Sequence, residues 1–204
     1  MKKQQQAPPS IDGRTARRDR NSEAVLDAVN DLFIEGNFAP AVEQVAARSG
    51  VSLRSVYRYF EDADALLRSA IERRLALVEP LFVLPDIGQG PLEERITRLV
   101  NHRLVLHEKL GPAVRAALLR TPHAPLLAEH VHRRRQLLTK QVEQHFAPEV
   151  KALGRKSRGN ALVACVDTLC EFESVEHLRF QRGLSVARTR RTLVAGISAL
   201  LVVD

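Results

Sequence analysis

Hydrophobic residues recur at helical spacing along nearly the whole chain, which has 204 residues. In the first such segment, predicted over residues 22–34, the apolar face consists of Val25, Leu26, Val29, Leu32 and Phe33. The same periodicity predicts further helices over residues 42–49, 53–60, 62–82, 91–110, 111–120, 125–146, 160–180 and 185–203. Glycine and proline separate most of these segments and mark helix ends. The pattern predicts an all-α fold of about nine helices.

The second and third predicted helices are short and are joined by a tight turn. Gly50 supplies the bend, Val51 fills the angle between the helices, and Ser52 caps the third helix. Within that helix Val56 and Phe60 face the core. The residues that point outward are Leu53, Arg54, Ser55, Tyr57, Arg58 and Tyr59. Because arginine can bind a guanine edge and hydroxyl groups can donate to phosphates, we predict that these residues and Ser52 contact DNA.

The charge of the chain agrees with a polyanionic partner. The formal net charge is +7 and the pI is about 10.0. Residues 1–20 are polar and rich in basic side chains, which predicts a disordered basic arm. Since this arm adjoins the DNA-reading segment, Arg17 and Arg18 are candidates for contacts with phosphate or with the minor groove. A solubilising tail is the alternative.

The sequence contains no recognisable catalytic or metal-binding motif. A nucleophile elbow, a phosphate-binding loop and a zinc-binding cysteine set are all missing. His130 and His132 are two residues apart, which is wrong for one helical face, and the helical spacing of Glu173 and His177 is common on helix surfaces. We therefore expect neither an enzyme nor a bound cofactor or metal.

Cysteine usage and hydropathy indicate a cytoplasmic protein. Cys165 and Cys170 are five residues apart on a predicted helix and point to different faces, so reduced thiols are expected and a redox sensor is the alternative. Residues 1–10 have no apolar region of the secretory kind. The longest apolar stretch, residues 193–203, is about half the length of a membrane span.

Residues 25–67 resemble the DNA-binding domain of the TetR family of bacterial repressors. The matching features are Leu32-Phe33, Gly36, Val45-Ala46, Gly50-Val51-Ser52, Val56-Tyr57, Tyr59-Phe60 and Leu66-Leu67. The combination is more specific than a generic helix-turn-helix. The resemblance implies a helix-turn-helix domain in the first third of the chain, a ligand-sensing helical domain after it, and a homodimer.

The chain departs from the family pattern at two positions that usually contact phosphate. A threonine or serine usually precedes the second helix, where this chain has Ala39, Pro40 and Ala41. A lysine usually begins the fourth helix, where Ala63 lies after Asp62, although Asp62 can cap the helix. We therefore expect DNA affinity to depend more strongly on the basic arm and on Arg54 and Arg58.

We predict a helix-turn-helix domain over residues 21–61 and a ligand-binding and dimerisation domain over residues 62–204. In the second domain several polar side chains share helix faces with apolar ones, so they are either paired inside the core or line a cavity. If they line a cavity, the ligand should have an anionic or polar head and an aliphatic body. The candidate ligand-binding residues are Phe82, Leu99, Arg103, His107, Leu127, His130, Arg134 and Phe172.

The last two predicted helices have wide apolar faces that suit a four-helix dimer interface, as in the family. The candidate interface residues are Leu162, Val166, Leu169, Leu193, Ile197 and Leu200. The alternative is that these faces only complete the core of the monomer.

Together these features predict a sequence-specific, DNA-binding transcriptional regulator. The first hypothesis is a ligand-released repressor that binds a pseudo-palindromic operator as a dimer, with two recognition helices in successive major grooves. An activator and a ligand-independent DNA-binding protein are alternatives. A helical interaction protein with a vestigial helix-turn-helix is the hypothesis from another class.

Overall fold

The computed structural model describes residues 13–153 and 156–201 and contains ten α-helices in those ranges. No strand occurs in this part of the chain, so the predicted all-α fold is confirmed. The helices are α1 Gly13–Ile34, α2 Val42–Ser49, α3 Leu53–Tyr59, α4 Ala63–Leu77, α5 Leu92–Arg120, α6 Pro125–His145, α7 Ala147–Ala152, α8 Lys156–Cys170, α9 Phe172–Glu176 and α10 Val186–Leu201. Short 3₁₀ turns occur at Glu79–Phe82 and Thr121–His123, and a π-helical turn at His177–Gln181.

Contacts divide the chain into two compact units, and the division falls between Arg73 and Arg74, inside α4. In the first unit α1 packs against α2 and α3. Its largest fully buried side chains are Val25, Val29, Phe33, Leu66 and Ile71. Arg73 forms an ion pair with Asp27 of α1 within this unit. Arg74, the next residue, donates to the backbone oxygen of Lys109 in the second unit, at 2.9 Å.

The second unit is a helical bundle with two apolar clusters. In the larger cluster α5, α6, α8 and α10 pack together around buried residues that include Ile96, Leu99, Phe146, Val166 and Ile197. The smaller cluster consists of Val78, Phe82, Leu106 and Leu110. Phe82 therefore packs the 3₁₀ turn after α4 against the bundle, because its ring is buried beside Leu106 and Leu110 of α5.

Helix α1 begins at Gly13, so the prediction of a disordered arm is wrong for residues 13–20. Residues 1–12 of the predicted arm lie outside the described residues. The segment from Gly13 to Arg20 is polar on all sides, and hydrophobic periodicity cannot detect such a helix. Extending an existing helix is far less costly than nucleating a new one, which accounts for the added turns.

Several other helix boundaries differ from the prediction, and among them α4 ends at Leu77 rather than at residue 82 and α8 begins at Lys156 rather than at residue 160. The helices predicted over residues 91–110 and 111–120 are one continuous helix, α5, although Pro112 lies inside it. Gly111, Ala113 and Ala116 are buried around the proline, so tertiary packing compensates for the lost backbone hydrogen bond. The helix predicted over residues 160–180 is interrupted at Glu171, which has an extended backbone. Helix α7 was not predicted.

Candidate nucleic-acid interface

Helices α2 and α3 and the turn between them form a helix-turn-helix. Gly50 ends α2 with a φ of 68°, in the left-handed region that glycine adopts without strain. Val51 is buried beneath the turn. Ser52 caps α3, because its side chain accepts a hydrogen bond from the backbone N–H of Ser55 at 3.3 Å. The predicted roles of these three turn residues are thus confirmed.

The start of α2 is stabilised without the missing hydroxyl group. The side-chain oxygen of Gln44 accepts from the backbone N–H of Ala41 at 2.9 Å and from the Asn37 amide at 3.2 Å. This is the reciprocal half of a capping box, so the backbone N–H at the helix start has a hydrogen-bond partner. Ala41 itself has no side-chain donor that could bind a phosphate. At the start of α4, Asp62 Oδ1 accepts from the backbone N–H of Ala65 at 2.6 Å, which confirms the predicted cap.

Helix α3 buries one side and exposes a basic and apolar surface. Val56 is 1% exposed, whereas Leu53 is 38% and Tyr57 50% exposed. Arg54 and Arg58 are also exposed, and no carboxylate lies within ion-pairing distance of either among the described residues. An exposed apolar side chain beside two guanidinium groups that form no ion pair with the described residues is a surface suited to a DNA groove.

The amino-terminal turns of α1 bring Arg17 and Arg18 beside α3. Both arginines line a cleft of about 480 Å³ together with Ser55, Arg58 and Tyr59 of α3. Sequence reasoning missed the sixth lining residue, Asn21. The Asn21 side chain donates to the Tyr59 hydroxyl oxygen at 3.3 Å. The spacing of Arg17 and Asn21, four residues apart on one helical face, was the signal that could have identified this residue.

The predicted ligand-binding residues fall into separate groups in the second unit. Phe82, Leu99 and Leu127 are buried apolar side chains. Arg103 is 3% exposed and donates to Gln141 Oε1 at 2.9 Å and to the backbone oxygen of Leu138 at 3.0 Å. Burial lowers the pKa of Arg103.

Two further groups surround Phe82 and Phe172. The Arg134 guanidinium lies 4.6 Å from the centre of the Phe82 ring and forms an ion pair with Glu79. The His107 ring stacks on Phe172 with 5.0 Å between ring centres. His107 Nε2 lies 2.6 Å from Glu176 Oε1, and burial lowers the pKa of His107 against the opposite effect of Glu176.

These contacts agree with internal pairing of Arg103 and His107 within the bundle, whereas the Arg134 ion pair with Glu79 is exposed. They do not bring all eight candidates to one place. His130 is half-buried on α6, and no polar partner of its side chain is found among the described residues.

Four of the six predicted dimer-interface residues belong to the core of the monomer, so the prediction is wrong for them. Leu162, Val166, Leu193 and Ile197 are buried within the larger apolar cluster and have no surface to offer a partner. Leu169 and Leu200 are only partly buried and line an open groove between α8 and α10. The other groove residues are Ala164, Cys165, Thr168 and Gly196.

His145 is a fully buried polar group that sequence reasoning placed only on a mixed helix face. Its Nδ1 accepts from the backbone N–H of Gly88 at 3.1 Å, and its Nε2 donates to the backbone oxygen of Arg95 at 2.9 Å. This arrangement requires the neutral imidazole, because protonated Nδ1 could not accept from Gly88. Burial lowers the pKa of His145, and the nearby guanidinium groups of Arg95, Arg98 and Arg103 act in the same direction.

Acid should therefore destabilise the protein through His145. The imidazole takes up a proton at its ordinary pKa of 6.5 when unfolded and at a lower pKa when folded, so its contribution is present above pH 6.5 and is lost as pH falls below that value. Urea unfolding at pH 7.5 and at pH 5.5 measures the loss. His145→Asn should show a smaller difference between the two pH values, and His130→Asn should retain it. An unchanged difference in His145→Asn would contradict the assignment.

Three further properties of the described residues concern metal binding, membrane spans and the two cysteines. Among residues 13–153 and 156–201, no group of three or more histidine, cysteine or acidic side chains could hold a metal ion. No helix there has both the length and the apolar character that crossing a membrane requires. Cys165 is exposed, whereas Cys170 is buried, and burial raises the pKa of the Cys170 thiol to about 12.

Known proteins are similar to this chain both in the sequence of the helix-turn-helix region and in the fold. Residues 25–70 match the family described as "Bacterial regulatory proteins, tetR family". The HTH-type transcriptional regulator BetI of Escherichia coli O139:H28 is 28% identical over 171 residues, which cover 79% of this chain and 84% of that protein. BetI of Shigella flexneri serotype 5b gives the same values.

Two solved structures have the same fold at low sequence identity. A tetR-family transcriptional regulator from Streptomyces coelicolor superposes with a TM-score of 0.68 at 23% identity, covering 89% of this chain and 80% of that one. A transcriptional regulator from Rhodococcus sp. Rha1 has a TM-score of 0.61 at 18% identity, with coverage of 92% and 99%.

An exposed basic recognition helix, set on a small helical unit that precedes a larger bundle, defines a DNA-binding transcriptional regulator of the helix-turn-helix class. Over residues 25–70 the chain is similar to the TetR family of bacterial regulatory proteins. Its fold is also shared with solved regulators of that family.

Proposed function

We propose that this protein is a ligand-released repressor, cytoplasmic and without enzymatic activity, that binds a pseudo-palindromic operator as a homodimer. The observation that carries the proposal is the surface of α3, where Leu53, Arg54, Tyr57 and Arg58 are exposed around the buried anchor Val56. Two such helices, related by a twofold axis, would enter successive major grooves of the operator.

The groove between α8 and α10 supports the homodimer. It is mostly apolar, and small residues at Ala164 and Gly196 leave room for the side chains of a second copy. A Cβ atom added at Gly196 would lie 3.6 Å from the Leu169 side chain, so α8 and α10 already pack closely there. An equivalent pair of helices from a second subunit would complete a four-helix interface.

The second unit is the proposed ligand-binding domain, and the predicted residues nearest Phe82 are the best candidates for its sensor. Arg103 binds Gln141, and the Gln141 amide donates in turn to the backbone oxygen of Phe82 at 2.5 Å. An anionic ligand that competed for Arg103 would release Gln141 and loosen the 3₁₀ turn after α4. Since α4 contains residues of both units, this change would reach the DNA-binding unit and lower operator affinity.

A gel-shift or fluorescence-anisotropy assay with the DNA upstream of the protein's own gene tests the proposal. The parent protein should bind this DNA, and Arg54→Ala should lose about tenfold to a hundredfold in affinity if Arg54 reads a base edge. Arg133→Ala is the matched control, because Arg133 is exposed on α6 and pairs with Glu129 on the same helix. If Arg54→Ala binds as tightly as the parent, the assignment of α3 as the recognition helix is wrong.

A ligand-independent DNA-binding protein is the second candidate. It is favoured by the internal pairing of Arg103 and His107, which already have hydrogen-bond partners inside the bundle. The same assay separates the two candidates, since only a ligand-released repressor loses operator affinity when small molecules from the cell are added.

A further inference from the structure

The cleft between the amino-terminal turns of α1 and helix α3 has the composition of an anion site. Its lining includes the guanidinium groups of Arg17, Arg18 and Arg58. None of the three has a carboxylate within ion-pairing distance among the described residues, although two other arginines of the same unit do: Arg48 pairs with Glu35, and Arg73 with Asp27.

The Tyr59 hydroxyl is held in place at the edge of this cleft. Its oxygen accepts from the Asn21 amide at 3.3 Å and from Arg58 Nη2 at 3.2 Å. The Arg58 guanidinium also lies 5.2 Å from the centre of the Tyr59 ring, which keeps the two side chains together. Because the oxygen already accepts two hydrogen bonds, the hydroxyl hydrogen is available for an acceptor in the cleft.

The second hydroxyl group of the cleft is oriented in a similar way. Ser55 Oγ accepts from Ser52 Oγ at 3.0 Å, and the Ser55 side chain is also hydrogen-bonded to Tyr59. Three cationic groups and the two hydroxyl groups thus line one cavity, and none of the described residues that line it is a carboxylate. This donor set matches the oxygens of a phosphate diester, which accept hydrogen bonds and donate none.

We propose that the cleft binds one backbone phosphate of the operator per subunit, with Arg17, Arg18 and Tyr59 as contacts and Asn21 as a positioning residue that acts through Tyr59. The proposal rests on the DNA-binding function of α3 and adds α1 to the interface. It also supplies phosphate contacts in a chain that has Ala41 and Ala63 where its family usually has side-chain donors.

Measuring DNA affinity at several salt concentrations tests whether Arg17 and Arg18 contact a phosphate. Removing contacts to one phosphate should make the slope of log affinity against log salt shallower by about 0.9 per subunit. The double variant Arg17→Ala/Arg18→Ala should show this change together with weaker binding. Arg20→Ala is the control, because Arg20 is exposed on the same helix and does not line the cleft.

Single-group variants test the two uncharged side chains. Tyr59→Phe removes one hydroxyl and should weaken binding by about tenfold, as expected for a hydrogen bond to a charged group. Asn21→Ala should weaken binding less and should raise the pKa of Tyr59, because the hydrogen bond from Asn21 is the main cause of its lowered pKa.

Tyrosinate absorbance measures that pKa directly, since the chain has two tyrosines and no tryptophan, and Tyr57→Phe leaves only Tyr59. An Asn21 that served only the packing of α1 and did not act on the Tyr59 hydroxyl would leave this titration unchanged.

The outcomes separate this proposal from the function on which it rests. If Arg54→Ala loses DNA binding while the salt slope of the double variant and the affinity of Tyr59→Phe equal those of the parent, the cleft is not a phosphate site and α3 still reads DNA. If Asn21→Ala leaves the titration of Tyr59 unchanged, the positioning role is wrong. If the parent binds no DNA from its own locus, the proposed function itself fails.

Discussion

Replacing Ala164 with arginine should prevent the proposed dimer from forming and weaken operator binding by about a hundredfold or more. Ala164 is exposed on α8 and lines the groove between α8 and α10, so the new side chain would occupy the space proposed for a second subunit. The fold of the monomer should survive, because no buried contact is changed. The loss of affinity follows from losing the second half-site contact, which the dimer makes at high effective concentration.

Analytical ultracentrifugation and fluorescence anisotropy on the same preparation measure both effects. The matched control is Ala187→Arg, which puts the same exposed side chain on α10, nine residues before Gly196 and therefore on the opposite side of that helix. This control should remain dimeric. A dimeric Ala164→Arg variant with normal affinity would show that the groove is not the interface between subunits.

Replacing Glu149 with alanine should lower the free energy of unfolding by about 3–5 kcal/mol, the usual cost of leaving a buried charge without its partner. Arg95 is 5% exposed and donates to both carboxylate oxygens of Glu149, of which the contact with Oε2 is 2.9 Å. Glu149 raises the pKa of Arg95, so the guanidinium stays charged and needs its counterion. The backbone oxygens of Gly90 and His145, which Arg95 also binds, carry no full charge to replace it.

Urea unfolding followed by circular dichroism measures the change. Glu149→Gln keeps the shape and one acceptor and should fall between the parent and the alanine variant. Glu129→Ala is the surface control: its partner Arg133 is more than half exposed, so little change is expected. A Glu149→Ala variant as stable as the parent would mean that Arg95 finds another partner or water when Glu149 is removed.

The proposed recognition helix, α3, could be predicted closely from the sequence, because its signals are local. Gly50 at the turn, Ser52 at the cap and the single buried anchor Val56 each depend on backbone geometry within a few residues. The added turns of α1 could not be predicted in this way, since a polar helix has no periodic pattern to detect. The cleft was missed for a different reason. It joins residues that are far apart in the sequence, as in the contact between Asn21 and Tyr59, which are 38 positions apart.

The dimer interface shows a different limit of sequence reasoning. The apolar faces of α8 and α10 were recognised, but periodicity does not distinguish a face that meets the monomer core from one that meets a partner. The structure uses the centre of each face, at Val166 and Ile197, for the core of its own chain. Leu169 and Leu200, at the edges of these faces, are partly buried and line the groove. The continuity of α5 through Pro112 was also unpredictable, because packing across the bundle overrides a local helix-breaking preference.

Consecutive arginines of α4 are anchored in different units: Arg73 to Asp27 and Arg74 to the backbone of Lys109. Each contact lies within one unit: Arg73 with α1 in the first, and Arg74 with α5 in the second. Each unit therefore secures its own part of α4 through a single arginine, and replacing one arginine should loosen α4 within that unit alone.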